Sequence, residues 1–136
     1  ARVEIRDELW IKLWGNLAFN PISALTGATL KQICDDKETR LLAQNIMIEA
    51  KSIGKELGVK FPISIDKRIS GAALVGEHKT SMLQDLESGR SMEIDAIIGS
   101  VQELGKVVNI STPNIDCILA LVKQRAHLTG CFDYLN

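Results

Sequence analysis

Cysteine, proline and aromatic side chains are all scarce in this 136-residue sequence, and each scarcity narrows what the chain can do. The three cysteines, Cys34, Cys117 and Cys131, are far apart and form no CxxC pair or Cys/His cluster at metal-ligand spacing. No metal site is expected. They read best as reduced thiols in a cytosolic, hence cytoplasmic, protein, each serving as a small buried hydrophobe. The two histidines, His78 and His127, have no partner in the sequence that would make a triad or a zinc site. No apolar run is long enough to span a bilayer. The first residues, ARVEIRDELW, lack the basic-then-apolar layout of a secretory leader. Charge of one sign is lacking too: 16 basic against 17 acidic side chains leave a net charge of -1. That balance offers no electrostatic reason to expect a nucleic acid or an anionic membrane as partner. The sequence also contains no GxGxxG, no P-loop and no β-branched run that would mark a buried parallel strand. Nothing in it can cradle a pyrophosphate in the usual way, so no cofactor-binding residue is expected in this chain.

The residues that are present spell helices. The composition, 46% hydrophobic and 24% charged, suits a single globular domain with a real core. Apolar residues recur at helical spacing nearly throughout, punctuated by caps. A first helix is expected from about Val3 to Phe19. Asn20-Pro21 reads as an N-cap followed by proline at the first helical position, opening a short helix to Thr26 that Gly27 stops. Thr29 to Gln32 fits a capping box. A long amphipathic helix is expected from Lys37 to Leu57, closed by Gly58, with Leu42, Ile46, Ile53 and Leu57 on one side. Ser64 should cap a helix that frays toward Gly71 and Gly76. Ser81 to Gln84 reads as a second capping box, with its helix ending at Gly89. Ser91 should cap a helix ended by Gly105, and Thr112-Pro113 should open the last helix, to about Leu128. The expected fold is a compact all-α domain without internal repeats.

The first helix carries more than structure requires. With Lys12 at zero on a helical wheel, Asn16 falls at roughly 40° and Asn20 at roughly 80°. Trp10, Ile11, Leu13, Trp14, Leu17 and Ala18 fill most of the remaining circumference. A helix apolar almost all round is usually buried, yet this one is interrupted by one narrow stripe of an amine and two carboxamides. Gly15 lies beside the stripe and would let another group approach the backbone closely. A lone lysine is more often the solvated edge of a half-buried helix. Three aligned polar groups on so apolar a helix need partners, and a small polar ligand would supply them. An ammonium beside two carboxamides suits a 2-oxo acid, whose carbonyl and carboxylate oxygens accept hydrogen bonds.

Two blocks extend this reading. Lys12 to Leu25, KLWGNLAFNPISAL, resembles the KxxxNxxxNPxxAL signature that opens the C-terminal domain of the ketopantoate reductases (2-dehydropantoate 2-reductases). Ser81 to Asp95, SMLQDLESGRSMEID, resembles the second signature of that family, and Gly99, Gly105 and Thr112-Pro113-Asn114 follow at the family's positions. The resemblance covers most of the chain, from about Trp10 to Val122. It implies the C-terminal domain fold of the 6-phosphogluconate-dehydrogenase-like reductases. It also implies that Lys12 is the general acid, that Glu93 works with it, that Asn16 and Asn20 hydrogen-bond substrate, and that Ser81 contacts its carboxylate. Taken alone, Ser81 reads as a helix cap and Glu93 as a solvated first-turn acid, and Asp85 and Arg90 as structural charges.

The resemblance and the missing phosphate loop together imply half an enzyme: a substrate-binding and dimerisation domain, 1-136, whose N-terminal Rossmann domain, the binder of NADPH, is absent. The parent would reduce ketopantoate to pantoate in pantothenate and coenzyme A synthesis, and the chain alone would be inactive. Partners would be the 2-oxo acid, the absent Rossmann domain and a second copy in a homodimer. The competing readings are a non-catalytic helical module for dimerisation or ligand binding, and a related reductase domain for another 2-oxo acid.

Overall fold

The computed structural model describes residues 5–133. Within them the chain forms seven α-helices and no strand: α1 (Ile5–Thr26), α2 (Leu30–Asp35), α3 (Lys37–Glu56), α4 (Ile65–Val75), α5 (Ser81–Ser88), α6 (Ser100–Val107) and α7 (Pro113–Leu128). A π-helical turn, Asp95–Gly99, runs directly into α6. The all-α expectation holds. No helix among the described residues is long and apolar enough to cross a membrane, and no cluster of His, Cys, Asp or Glu among them could hold a metal ion.

The central helix is α1, packed against α3, α5 and α7. Trp10, Trp14, Leu17, Ala18, Phe19, Ile22 and Ala24 are all buried. Trp14 stacks on Phe61 with ring centroids 4.6 Å apart, and its indole N–H donates to the Met47 carbonyl at 3.2 Å. Gly54 in α3 makes room for this contact, because a Cβ there would stand 2.7 Å from Phe61 Cζ. These contacts fix the rotation of α1 about its axis and so decide where its polar stripe faces.

Local punctuation agrees with the expectation in most places. Gly27, Gly58 and Gly89 end helices with φ of +78°, +82° and +71°, a region that favours glycine. Thr29 and Gln32 form the expected capping box, and the Ser64 hydroxyl accepts from Lys67 N–H.

The departures have physical causes. Residues 5–26 form one helix, not two, with Pro21 inside it; the expected start at Val3 lies outside the described residues. An interior proline costs about 3 kcal/mol. Full burial of Leu17, Phe19 and Ile22 across the junction is worth about 1.5–3 kcal/mol for each, so packing overrides the local stop. Asn20 is therefore an interior helical residue and not a cap. Helix α4 continues without interruption through Gly71 to Val75. The cap of α5 is Thr80, whose hydroxyl accepts from Leu83 N–H at 3.2 Å, and Ser81 is the first helical residue. Ser91 and Glu93 lie in an irregular link between α5 and the π-helical turn, so neither caps nor opens a helix; the turn after that link has no side-chain cap. Gly105 sits within α6, pressed against Ile53 and Thr112, where a Cβ would come within 3.1 Å of Thr112. Cys34 and Cys131 are buried as expected, whereas Cys117, on the outer side of α7, is exposed.

Candidate active site

The polar stripe of α1 is inclined to the protein surface. Lys12 and Asn16 are exposed, and Asn20, two turns beyond Lys12, is 7% exposed. The stripe thus descends from solvent into the seam where α1 meets α5. Two cavities open along this seam, and Asn20 and Ser81 line both of them.

The first cavity, about 350 Å³, lies between α1, α4 and the start of α5. Asn16, Asn20, Thr80 and Ser81 supply its neutral polar groups, and Phe19, Ala72 and Val75 much of its apolar wall. The second, about 270 Å³, is bounded by Asn20, Ser81, Met82 and Asp85 on one side and by Ser91, Glu93 and Ile97 on the other. The link that carries Glu93 is held from below, since Met92 N–H donates to the Cys131 carbonyl at 2.9 Å and the Met92 side chain is buried. Because Thr80 caps α5, the Ser81 hydroxyl is left for whatever enters either space.

Four of the five residues singled out from the sequence are brought together in this way. Lys12 lines neither cavity, and among the described residues no ion pair joins it to Glu93. It stands one turn before Asn16 on the same face, at the solvent end of the stripe. Asp85 pairs with Arg90 at 3.0 Å, in keeping with a structural role for both.

One further residue belongs to the site and was not expected from the sequence. Arg68, from α4, reaches across the first cavity and lies on the backbone of Gly15, where a Cβ would collide with its Nη2. Its guanidinium carbon sits 5.9 Å from the centre of the Phe19 ring. Burial pulls its pKa below the ordinary arginine value, and the nearby Cys34 thiol acts weakly the other way. No acidic side chain lines this cavity, whereas Asp85 and Glu93 line the second. The site is bipolar: cationic on one side of the Asn20–Ser81 wall and acidic on the other. Only the glycine gave a hint, as a point of close approach; nothing in the α4 sequence marks Arg68 apart from its neighbours.

The profile of the family described as ketopantoate reductase PanE/ApbA C terminal matches residues 4–126. The chain belongs to this family. A 2-dehydropantoate 2-reductase from Mesorhizobium japonicum is 62% identical over 132 residues, which is 97% of this chain and 40% of that protein. A protein from Ralstonia solanacearum MolK2, proposed to be a ketopantoate reductase, has a crystal structure that superposes with a TM-score of 0.86. It is 41% identical, over 92% of this chain and 38% of that one. D-mandelate dehydrogenase, solved with NADH and anilino(oxo)acetate, shares the fold with a TM-score of 0.82 at 19% identity, over 92% of this chain and 71% of that one. The chain spans about two-fifths of the length of the curated relatives it matches.

The described residues do not fit a dinucleotide on their own. Among those described there is no strand–loop–helix phosphate cradle, and both cavities are of a size for a small acid.

Proposed function

We propose that this chain is the substrate-binding and proton-donating part of an NADPH-dependent 2-dehydropantoate 2-reductase, which reduces ketopantoate to pantoate. The observation that carries the reading is the Asn20–Ser81 wall. A carboxamide from α1 and a hydroxyl from α5 face the same small cavities, at positions that match both signatures of the family.

In this reading the 2-oxo acid lies along the stripe, with Asn16 and Asn20 donating to its oxygens and Ser81 binding its carboxylate. Its keto group then lies toward the solvent end, beside Lys12. NADPH, held outside this chain by a nucleotide-binding domain, would supply the hydride that C2 accepts. Negative charge develops on the keto oxygen, and the Lys12 ammonium stabilises that charge and transfers a proton to it. Glu93, across the Asn20–Ser81 wall, is the acidic group that works with the lysine in this reading. The exposure of Lys12 and Asn16 supports this division of labour, because the end of the stripe where hydride must arrive is the end left open. The free, partly buried thiols fit the same cytoplasmic setting. A homodimer would cover apolar side chains such as Leu121 and Leu128, which α7 leaves exposed.

The test is NADPH oxidation with ketopantoate by the reductase that carries this chain. Replacing Lys12 by Ala is expected to lower turnover by about 10²–10⁴, the usual contribution of a positioned acid. Near-normal turnover would remove Lys12 from the chemistry, and absence of ketopantoate reduction by the unmodified enzyme would remove the substrate.

A further inference from the structure

Arg68 presents a cation without an anion. It is half-buried, it projects into the first cavity, and among the described residues no carboxylate or carbonyl accepts a hydrogen bond from it. The face of Phe19 attracts a guanidinium, but a ring cannot accept the five N–H donors that arginine offers in a planar fork. Removing a guanidinium from water without an acceptor is unfavourable. Each nitrogen of this arginine keeps some contact with solvent, yet the guanidinium is bedded on the backbone of Gly15, where the absence of a side chain makes its place. The nearest acids of the site, Asp85 and Glu93, stand on the far side of the Asn20–Ser81 wall, and Asp85 is already engaged by Arg90.

A planar, two-oxygen anion fits such a fork bidentately. We propose that Arg68 is the principal carboxylate-binding residue of this site and that it orients the acid with its carboxylate toward α4 and its keto carbon toward the solvent end of the stripe. The inference rests on the reading of the site as one for a 2-oxo acid, but not on that acid being ketopantoate. Ser81, on the same cavity, then acts as a second and weaker donor to the carboxylate. An apolar residue at position 68 would leave the keto carbon accessible but the acid poorly held.

The experiment is steady-state kinetics of the reductase carrying this chain, with ketopantoate and with its neutral methyl ester, for the unmodified enzyme, Arg68→Met and Arg68→Lys. Circular dichroism and the thermal midpoint establish that each variant is folded. We expect Arg68→Met to raise KM for ketopantoate by about 10–100-fold, the range of a charge-assisted hydrogen-bonded pair. The expected change in kcat is much smaller, and KM for NADPH should stay as it was. Arg68→Lys should recover part of the loss, since it restores charge but not the fork. The methyl ester should bind weakly to the unmodified enzyme and be indifferent to the substitution. An unchanged KM for ketopantoate in a folded Arg68→Met enzyme would overturn the assignment, as would an ester that binds as well as the acid. If the enzyme ignores ketopantoate but reduces another 2-oxo acid with the same dependence on Arg68, the substrate proposed above fails and the carboxylate assignment stands.

Discussion

The Arg68 guanidinium rests on the bare backbone of Gly15, so closely that a Cβ at position 15 would collide with Nη2 and stand 3.1 Å from Cζ. Gly15 lies within α1, where alanine would favour the helix by about 1 kcal/mol. The obstructing atoms are the far end of a flexible side chain, which can move without unfolding anything. Gly15→Ala is therefore expected to keep or slightly raise the denaturation midpoint while weakening binding of the 2-oxo acid by about tenfold, equivalent to about 1.4 kcal/mol. Chemical denaturation and a ligand titration on the same variant check both halves. A large loss of stability with intact affinity would mean that Gly15 serves packing alone.

Thr80 and Ser81 are adjacent hydroxyls with different work. The Thr80 hydroxyl accepts from Leu83 N–H and caps α5, whereas Ser81 lines both cavities without a capping bond. Thr80→Ala should cost about 1 kcal/mol of stability, the usual worth of an N-cap. Ser81→Ala should leave stability within about 0.5 kcal/mol and lower affinity for the acid by about 3–10-fold, the loss of one neutral hydrogen bond. Thermal melts and titrations of the two variants side by side would show whether the roles divide in this way.

How much of the fold and site is legible in the sequence depends on the range of the interaction concerned. The capping box at Thr29, the cap at Ser64 and the left-handed glycines are readable because each is settled within a few residues. The polar stripe of α1 is readable for the same reason, since its register is a property of one helix. Asn20-Pro21 misleads because the local stop signal is overruled by packing across Leu17, Phe19 and Ile22, which no local window contains. The capping box expected at Ser81 is off by one residue because two successive hydroxyls, Thr80 and Ser81, compete for one role. Arg68 is not legible at all: its meaning comes from Gly15 and Phe19, more than 45 residues away in sequence.

A longer-range cap escapes the sequence for the same reason. Glu49 in α3 is buried, and its carboxylate accepts from Asn114 N–H at 2.9 Å, from Asn114 Nδ2 at 2.7 Å and from Ile115 N–H at 3.0 Å. It thereby satisfies the first turn of α7, whose local N-cap Thr112 makes no capping bond of its own. Glu49→Ala should destabilise the protein by about 2–3 kcal/mol, because buried N–H groups lose a charged acceptor. Urea denaturation measures it. A loss below about 0.5 kcal/mol would show that solvent replaces the carboxylate without penalty.

The thiols should differ in reactivity. Cys117 is exposed, whereas Cys34 and Cys131 are buried. Burial raises the Cys34 pKa above the ordinary thiol value, outweighing the opposing pull of Arg40. Iodoacetamide should therefore label Cys117 first in the native chain and all three cysteines only in denaturant, as read by mass spectrometry. Because the folded pKa of Cys34 is raised, its contribution to stability is complete below the unfolded thiol pKa. That contribution is lost as pH rises through the folded value, so labelling of Cys34 should begin only as alkaline pH loosens the fold. Rapid native labelling of Cys34 at neutral pH would contradict its place in the core.

In the proposed reading a small 2-oxo acid binds between α1, α4 and α5, in contact with Asn16, Asn20, Ser81 and Arg68. Titrating the isotopically labelled chain with ketopantoate and following its amide resonances tests this most directly. Saturable shifts concentrated at Gly15, Asn16, Gly71 and Ser81 are expected, together with their loss in Arg68→Met. Saturable shifts on another face, or none there at millimolar acid, would contradict it.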